Sequence, residues 1–376
     1  MPAPSPSPDG RAGDTIGAMT PPEIPILCVA GSRREVGRQI GEAYAEQIRR
    51  NVDSSFDDLP AGRSREEQLT LAAEYRAVTE RQLPWLVEEL DGCAEAAGVD
   101  PLPLFAASIE EIWYLPRERV TQGRCSDLVA GPRATANGHL LVGHNNDLSP
   151  SAEDHIIAIE RSVPGDPVTF QLGGAPWLSV GWNDAGLSLT GNELSPNDER
   201  VGISRSLQVF EMLRARSLDE MVAASLRSDR ASSYNNVLTS SDGRAVNVEG
   251  SATDVELTGF DDADHLAHTN HYVCERMVAY EGDPGYAEHS NVRFERGRRL
   301  LAEQPAGTVT GEGMRTMLAD HETRPDSLCR HPEFGTPDAK TVFWCVADVT
   351  DGVITFGRGN PCDSQAQEYA FAQYGG

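Results

Sequence analysis

Asn137-Gly138 stands between two short apolar runs, Leu128-Val129-Ala130 and Leu140-Leu141-Val142. Asn-Gly supplies the positive φ values that a tight antiparallel connection requires, so the flanking runs are read as a β-hairpin. Folding back at that point sets Cys125, at the head of the first run, beside Asp147 at the end of the second. A thiol and a carboxylate brought together on neighbouring strands form a nucleophile arrangement, so the hairpin constrains chemistry as well as fold.

The rest of the chain divides by period. The first third reads helical, with apolar stripes over 33–52, opened by Gly31-Ser32, and over 66–97, where Pro84 breaks or kinks the helix. Gly98 ends the second stripe, and 101–114 makes another short helix. Beyond Arg124, strands are expected at 126–131, 139–145, 155–162, 168–172, 178–182 and 187–191. A helix over 204–226, broken near Ser217, precedes strands at 233–240, 245–250 and 265–269. Helices at 291–303 and 311–320 and strands at 341–347 and 353–358 complete the pattern. Runs of strands between groups of helices imply antiparallel sheets covered by helices, an α+β layered domain.

Composition narrows the partners. The chain has 376 residues, a net charge of −26, 39% hydrophobic and 24% charged residues, which reads as soluble and globular. No basic patch exists to displace counterions from phosphates, which argues against nucleic acid, and the acidity is equally poor for an anionic membrane surface. Residues 1–22, rich in Pro, Ser and Gly, lack the apolar stretch of a signal peptide or membrane span and read as a disordered leader. Residues 23–376 show no repeat or linker and are expected to form one unit, in the cytoplasm. The seven cysteines are scattered, odd in number and without a CxxC pair, which fits reduced thiols.

Cys125 differs from the other cysteines in its surroundings: Gly123-Arg124 precedes it and polar Ser126-Asp127 follows. Two mechanisms can use it. In a papain-like enzyme a histidine lowers the thiol pKa and acts as base. In an N-terminal-nucleophile enzyme the chain is cut before the cysteine, and the new α-amine, with an ordinary pKa of about 7.7–8.0, takes the proton. Asn270, following an apolar strand, and Asn192, at the end of another, are neutral N–H donors of the kind an oxyanion hole needs. Arg293 is expected in the first turn of its helix, where a cation is badly placed for the dipole and therefore implies a partner. His265, His268 and His271 lack accompanying carboxylate or cysteine ligands, so neither metal nor cofactor is expected.

These residues, in this order and spacing, resemble the isopenicillin N acyltransferase family of N-terminal-nucleophile hydrolases, over nearly everything from residue 23 onward. The opening glycine-spaced helix is similar at Gly31, Gly37 and Gly41, and the second at Trp85 through Gly92. Cys125-Ser126, Asn146-Asp147, Gly186-Leu187 with Asn192, Thr269-Asn270, the Ser290-Arg293-Arg296 helix, Leu328-Cys329-Arg330-His331 and Gly359-Asn360-Pro361-Cys362 follow the family's order. The resemblance implies a four-layer αββα sandwich made as an inactive precursor. Cleavage at Arg124-Cys125 would leave chains 1–124 and 125–376 associated. Mature Cys125 would accept an acyl group from a small-molecule amide or acyl-thioester and pass it to water or an amine. Asp147 would orient the α-amine, Asn270 and Asn192 would cradle the oxyanion, and Arg293 would hold the site or substrate. The acyl and amine specificity is left unassigned. A single-chain papain-like thiol hydrolase and a non-catalytic, ligand-binding descendant of the fold are the alternatives.

Overall fold

The computed structural model describes residues 23–57, 59–113 and 124–375. The expected leader, Tyr114 and the stretch immediately before Arg124 lie outside the described residues. An eight-stranded sheet runs in the order β1-β4-β5-β6-β7-β8-β9-β10, and a six-stranded sheet in the order β11-β2-β3-β12-β13-β14. The first contains β1 (Ile26–Ala30), β4 (Ile157–Ser162), β5 (Thr169–Gly173), β6 (Leu178–Asn183), β7 (Leu187–Asn192), β8 (Asn235–Ser240), β9 (Ala245–Gly250) and β10 (Val255–Thr258). The second contains β2 (Arg124–Ala130), β3 (Leu141–Leu148), β11 (His265–His268), β12 (Lys340–Asp348), β13 (Val353–Arg358) and β14 (Gln367–Ala370).

Strand alternation sorts the apolar side chains into three layers of core. Ile157 and Ile159 of β4 face the N-terminal helices, whereas Ala158 between them faces the other sheet. Val129, Val142, Phe343, Cys345 and Phe356 meet Phe170, Leu172, Val180 and Trp182 in the buried layer between the sheets. On the outer side of the six-stranded sheet, Leu128, Leu141, Trp344 and Val346 pack against Leu301, Met314, Met317 and Leu318 of two further helices. The molecule is therefore the four-layer αββα sandwich.

The outer helices on the large sheet are α1 (Arg33–Ala43), α2 (Ala45–Asp57), α3 (Arg65–Gln82), α4 (Pro84–Ala97), α5 (Pro101–Ala107), α6 (Arg205–Met212) and α7 (Leu218–Ser225). Those on the small sheet are α8 (Pro284–Ala302) and α9 (Gly311–Leu318). Pro84 separates α3 from α4 as expected, standing at the first turn of α4 where its missing N–H costs nothing. The expected helix 33–52 is instead two helices, because Tyr44 leaves helical geometry at φ −122°, ψ 27°. Ile40 and Ile48 are buried on either side, so the apolar stripe runs straight across the break and conceals it. Helix α8 begins seven residues before the expected Asn291, because Asp283 caps it by accepting from the Tyr286 amide and Pro284 opens it. Arg293 is therefore mid-helix, and the first-turn dipole argument does not apply to it. Strands β1, β10 and β14 were not expected. Each is the outer strand of its sheet, paired on one side only, and β10 and β14 lack a buried face that would stamp a period of two on the sequence.

The β2–β3 connection is broader than a two-residue turn. Gly138 takes the positive φ, +76°, and the Asn137 side chain accepts from the His139 amide, but residues 131–140 all lie between the strands.

Candidate active site

Antiparallel pairing of β2 with β3 sets Cys125 opposite Asn146 and Arg124 opposite Asp147. Residues directly opposite point the same way, so Cys125 and Asn146 share one face of the sheet and Asp147 lies on the other. Asn146 Nδ2 stands 3.5 Å from Cys125 Sγ and donates to Ser179 Oγ at 2.6 Å. Asn146 was not singled out as a site residue in the sequence. Once the hairpin register is known it follows from its place opposite Cys125.

A second set of bonds holds the backbone of Cys125. Strand β11 pairs with β2, placing His268 opposite Asp127 and carrying Asn270 past the end of the sheet. Asn270 Oδ1 accepts from the Cys125 backbone nitrogen at 2.8 Å and from Arg293 Nη2 at 2.9 Å. Arg293 Nη1 donates to Cys125 O at 2.7 Å and to Ser126 Oγ at 2.9 Å. Asn270 is itself fixed, its backbone N–H donating to Ser290 Oγ at 2.7 Å and its Nδ2 to Glu193 O at 3.1 Å. Arg293 is 1% exposed, so its charge is committed to this cluster rather than to solvent.

Asp147 is wholly buried, and Thr341 Oγ1 donates to its Oδ1 at 2.7 Å. Its Oδ2 is buried with no hydrogen-bond partner among the described residues. Burial raises the Asp147 pKa, with Arg293 and Arg330 opposing the rise. The Cys125 thiol is pushed up strongly, first by burial and then by Asp147 and Asp127, against weaker help from the Asp147 backbone amide and Arg293. In the uncut chain the sulfur is therefore held as a thiol, and its use as a nucleophile requires a base close by. Among the described residues no histidine hydrogen-bonds Cys125 Sγ. His144, the nearest in register, spends its Nδ1 on Asp127 Oδ1 at 2.9 Å.

The structure thus gathers Cys125, Asp147, Asn270 and Arg293 around the start of β2. Asn192 is held by its oxygen: Oδ1 lies 3.0 Å from His268 Nδ1 and accepts from Asn235 at 3.3 Å, while its Nδ2 is buried with no hydrogen-bond partner among the described residues. His268 in turn meets Glu249 at 3.0 Å. The Arg124 backbone lies in β2, opposite Asp147.

Cys125 opens onto a cleft of about 360 Å³. One wall is apolar, formed by Leu148, Trp177, Leu178, Leu189 and Val209, while Asn146, Ser179, Glu193, Glu110 and Tyr234 contribute polar groups. Arg205 anchors the acidic side, donating to Glu110 at 2.6 Å and Glu193 at 2.7 Å. Of the tryptophans read from the sequence as pocket candidates, Trp177 lines this cleft, Trp182 is in the core between the sheets, and Trp113 packs edge-on to Phe56.

Residues 133–363 match the sequence pattern of acyl-coenzyme A:6-aminopenicillanic acid acyl-transferase. The chain belongs to that family. The acyl-transferase match takes in Asp147, Asn192, Asn270 and Arg293 and begins downstream of Cys125. No curated protein matches the sequence significantly. Solved structures similar to this acyl-transferase family member include a Caenorhabditis elegans ortholog of N-acylethanolamine-hydrolyzing acid amidase, with 16% identity over 60% of this chain and 93% of that one, TM-score 0.41. A variant of the conjugated bile acid hydrolase of Clostridium perfringens shows 13% identity over 66% of this chain and 98% of that one, TM-score 0.44. Penicillin V acylase from Agrobacterium tumefaciens shows 12% identity over 67% and 87%, TM-score 0.40. No helix among the described residues is long and apolar enough to cross a membrane.

Proposed function

We propose that this chain is a self-processing cysteine amidohydrolase or acyltransferase. Cys125 Sγ attacks the Arg124 carbonyl, the peptide nitrogen leaves as the α-amine of Cys125, and water hydrolyses the resulting thioester to free the 1–124 carboxylate. The two pieces, 1–124 and 125–376, stay associated through the shared core. The new α-amine then accepts the thiol proton, and the thiolate attacks the carbonyl of a small amide or acyl-thioester. The tetrahedral intermediate expels the amine or thiol, which receives the proton, and water or an amine takes the acyl group from the Cys125 thioester.

The observation that carries this reading is the fixation of the Cys125 nitrogen by Asn270, 2.8 Å away, while the sulfur faces the cleft. That bond fixes the nitrogen of the same residue that carries the sulfur, and once freed as an α-amine it can serve as the base, since no histidine among the described residues hydrogen-bonds Cys125 Sγ. The unpartnered Asp147 Oδ2 is available to orient the ammonium form, because Asp147 sits across the strand from the bond to be cut. Asn270 and Asn192 supply amide N–H groups for the oxyanion, and Arg293 holds the Cys125 carbonyl in place. The apolar wall around Trp177 suits an acyl chain.

Intact-mass analysis of purified wild type and Cys125→Ala tests the proposal. Wild type should appear as two pieces meeting at residues 124 and 125, with the variant uncut and inactive toward amide and thioester donors. An uncut wild type with full turnover would transfer the chemistry to a papain-like mechanism, and two pieces without turnover on any acyl donor would leave only a binding protein.

A further inference from the structure

Four side chains from three separate stretches meet beside the strand pair that carries Asp147: His321 after α9, Cys329 and His331 ahead of β12, and Cys362 after β13. One ligand atom from each lies within 4.8 Å of all the others. The two imidazole Nε2 atoms are 3.2 Å apart, the two sulfurs 3.7 Å apart, and His331 Nε2 lies 3.4 Å from each sulfur. Zinc bonds of about 2.3 Å to sulfur and 2.0–2.1 Å to nitrogen give a tetrahedron with edges of about 3.8 Å (S–S), about 3.4 Å (N–N) and about 3.5 Å (N–S). These four edges fall within about 0.2 Å of those lengths, and the two from His321 to the sulfurs lie within 4.8 Å.

We propose that His321, Cys329, His331 and Cys362 form a Cys2His2 zinc site. The surroundings are those a metal centre needs. Glu333 Oε1 lies 3.3 Å from His331 Nδ1, a carboxylate beside the ring nitrogen that would not ligate. Asn360 Nδ2 donates to Cys329 Sγ at 3.3 Å and to Arg330 O at 2.7 Å, orienting one sulfur from outside. Cys329 is buried while Cys362 is exposed, so an ion has a way in from solvent. Each thiol that ligates gives its proton to solvent, and the two thiolates balance the charge of the ion. Two sulfurs and two nitrogens in a tetrahedron favour zinc over the harder cations that prefer oxygen. A disulfide alone would leave two imidazoles aimed at one point without a purpose.

Four protein ligands leave no position for substrate, so the site is structural. It clamps the 319–339 segment to the turn after β13. One link from that clamp to the active site is Thr341, whose Oγ1 accepts from the Arg330 amide at 2.9 Å and donates to Asp147 Oδ1. The absence of metal expected from the sequence is revised by this proposal.

The test is metal analysis of the purified full-length protein, stripped by chelator under reducing conditions and then given zinc or cobalt(II) alone. About one zinc per chain is expected after gel filtration, and cobalt should give thiolate charge-transfer absorption with the intense visible bands of tetrahedral coordination. Cys362→Ser and His321→Ala should each reduce retained zinc to a small fraction, while Cys274→Ser, at a thiol outside the cluster, should retain it in full. The cobalt spectrum is read on folded wild type, so it decides the matter even if a variant fails to fold. Zinc retained equally by all three variants, octahedral cobalt without thiolate bands, or a metal-free wild type with Cys329 and Cys362 joined by a disulfide would each overturn the proposal.

Discussion

Asn270 is the residue on which the start of β2 depends, because one carbonyl oxygen serves both the Cys125 nitrogen and the Arg293 guanidinium. Removing it leaves a buried donor on each side without an acceptor and takes away the amide assigned to the oxyanion. Asn270→Ala is therefore expected to lower kcat by at least about 10²-fold, the usual cost of one oxyanion donor. The measurement is steady-state turnover on whichever amide or thioester donor the wild type accepts, with circular dichroism confirming the fold; a near-normal rate removes Asn270 from the site. Cys125, Asp147 and Asn270 were legible as candidates because each stands at a strand end or in a polar run, whereas Arg293 was picked out by a first-turn argument that the earlier start of α8 removes. Asn146 was passed over as a site residue because its position depends on pairing register, which residue types do not encode.

At the scale of elements, α1 and α4 approach so closely that three glycines form their seam. A Cβ on Gly37 would lie 1.9 Å from Glu89 O, one on Gly41 2.3 Å from Cys93 O, and one on Gly92 2.4 Å from Arg34 O. These contacts are with backbone, which cannot swing aside as a side chain can. In an ordinary helix interior Gly→Ala stabilises by about 1 kcal/mol. Here overpacking, which costs about 1–3 kcal/mol, opposes that gain and outweighs it. Gly92→Ala should therefore destabilise the protein by up to about 2 kcal/mol, read as a lower urea midpoint at unchanged slope; a raised midpoint would show that the helices have room to separate. The glycine spacing was visible in the sequence, but which helix it meets was not.

Across the whole molecule, acid should act through His271. It is packed against Phe294 at a 5.5 Å ring separation, with Ser290 Oγ 2.9 Å from its Nδ1. Burial first, then His268 and Arg293, push its pKa down to about 4, with Glu249 and Asn291 opposing. The unfolded chain takes up that proton near pH 6.5 and the native state does not. Stability from this group is thus complete above 6.5 and is lost as pH falls toward 4, by about 2–3 kcal/mol. Denaturant titrations at pH 7 and pH 4.5 should show the loss in wild type and a smaller one in His271→Gln; equal losses would assign the acid sensitivity to other groups.

Residue order alone carried the layered α+β class, most strand and helix positions, and the candidates proposed as nucleophile and oxyanion amides, because local periodicity and turn chemistry are written residue by residue. Only the tertiary structure decided the partners: the outer strands, the register that pairs Cys125 with Asn146, and the meeting of His321, Cys329, His331 and Cys362. Those contacts join residues far apart in the chain, and their geometry is set by how the two sheets and their helices bury a common core.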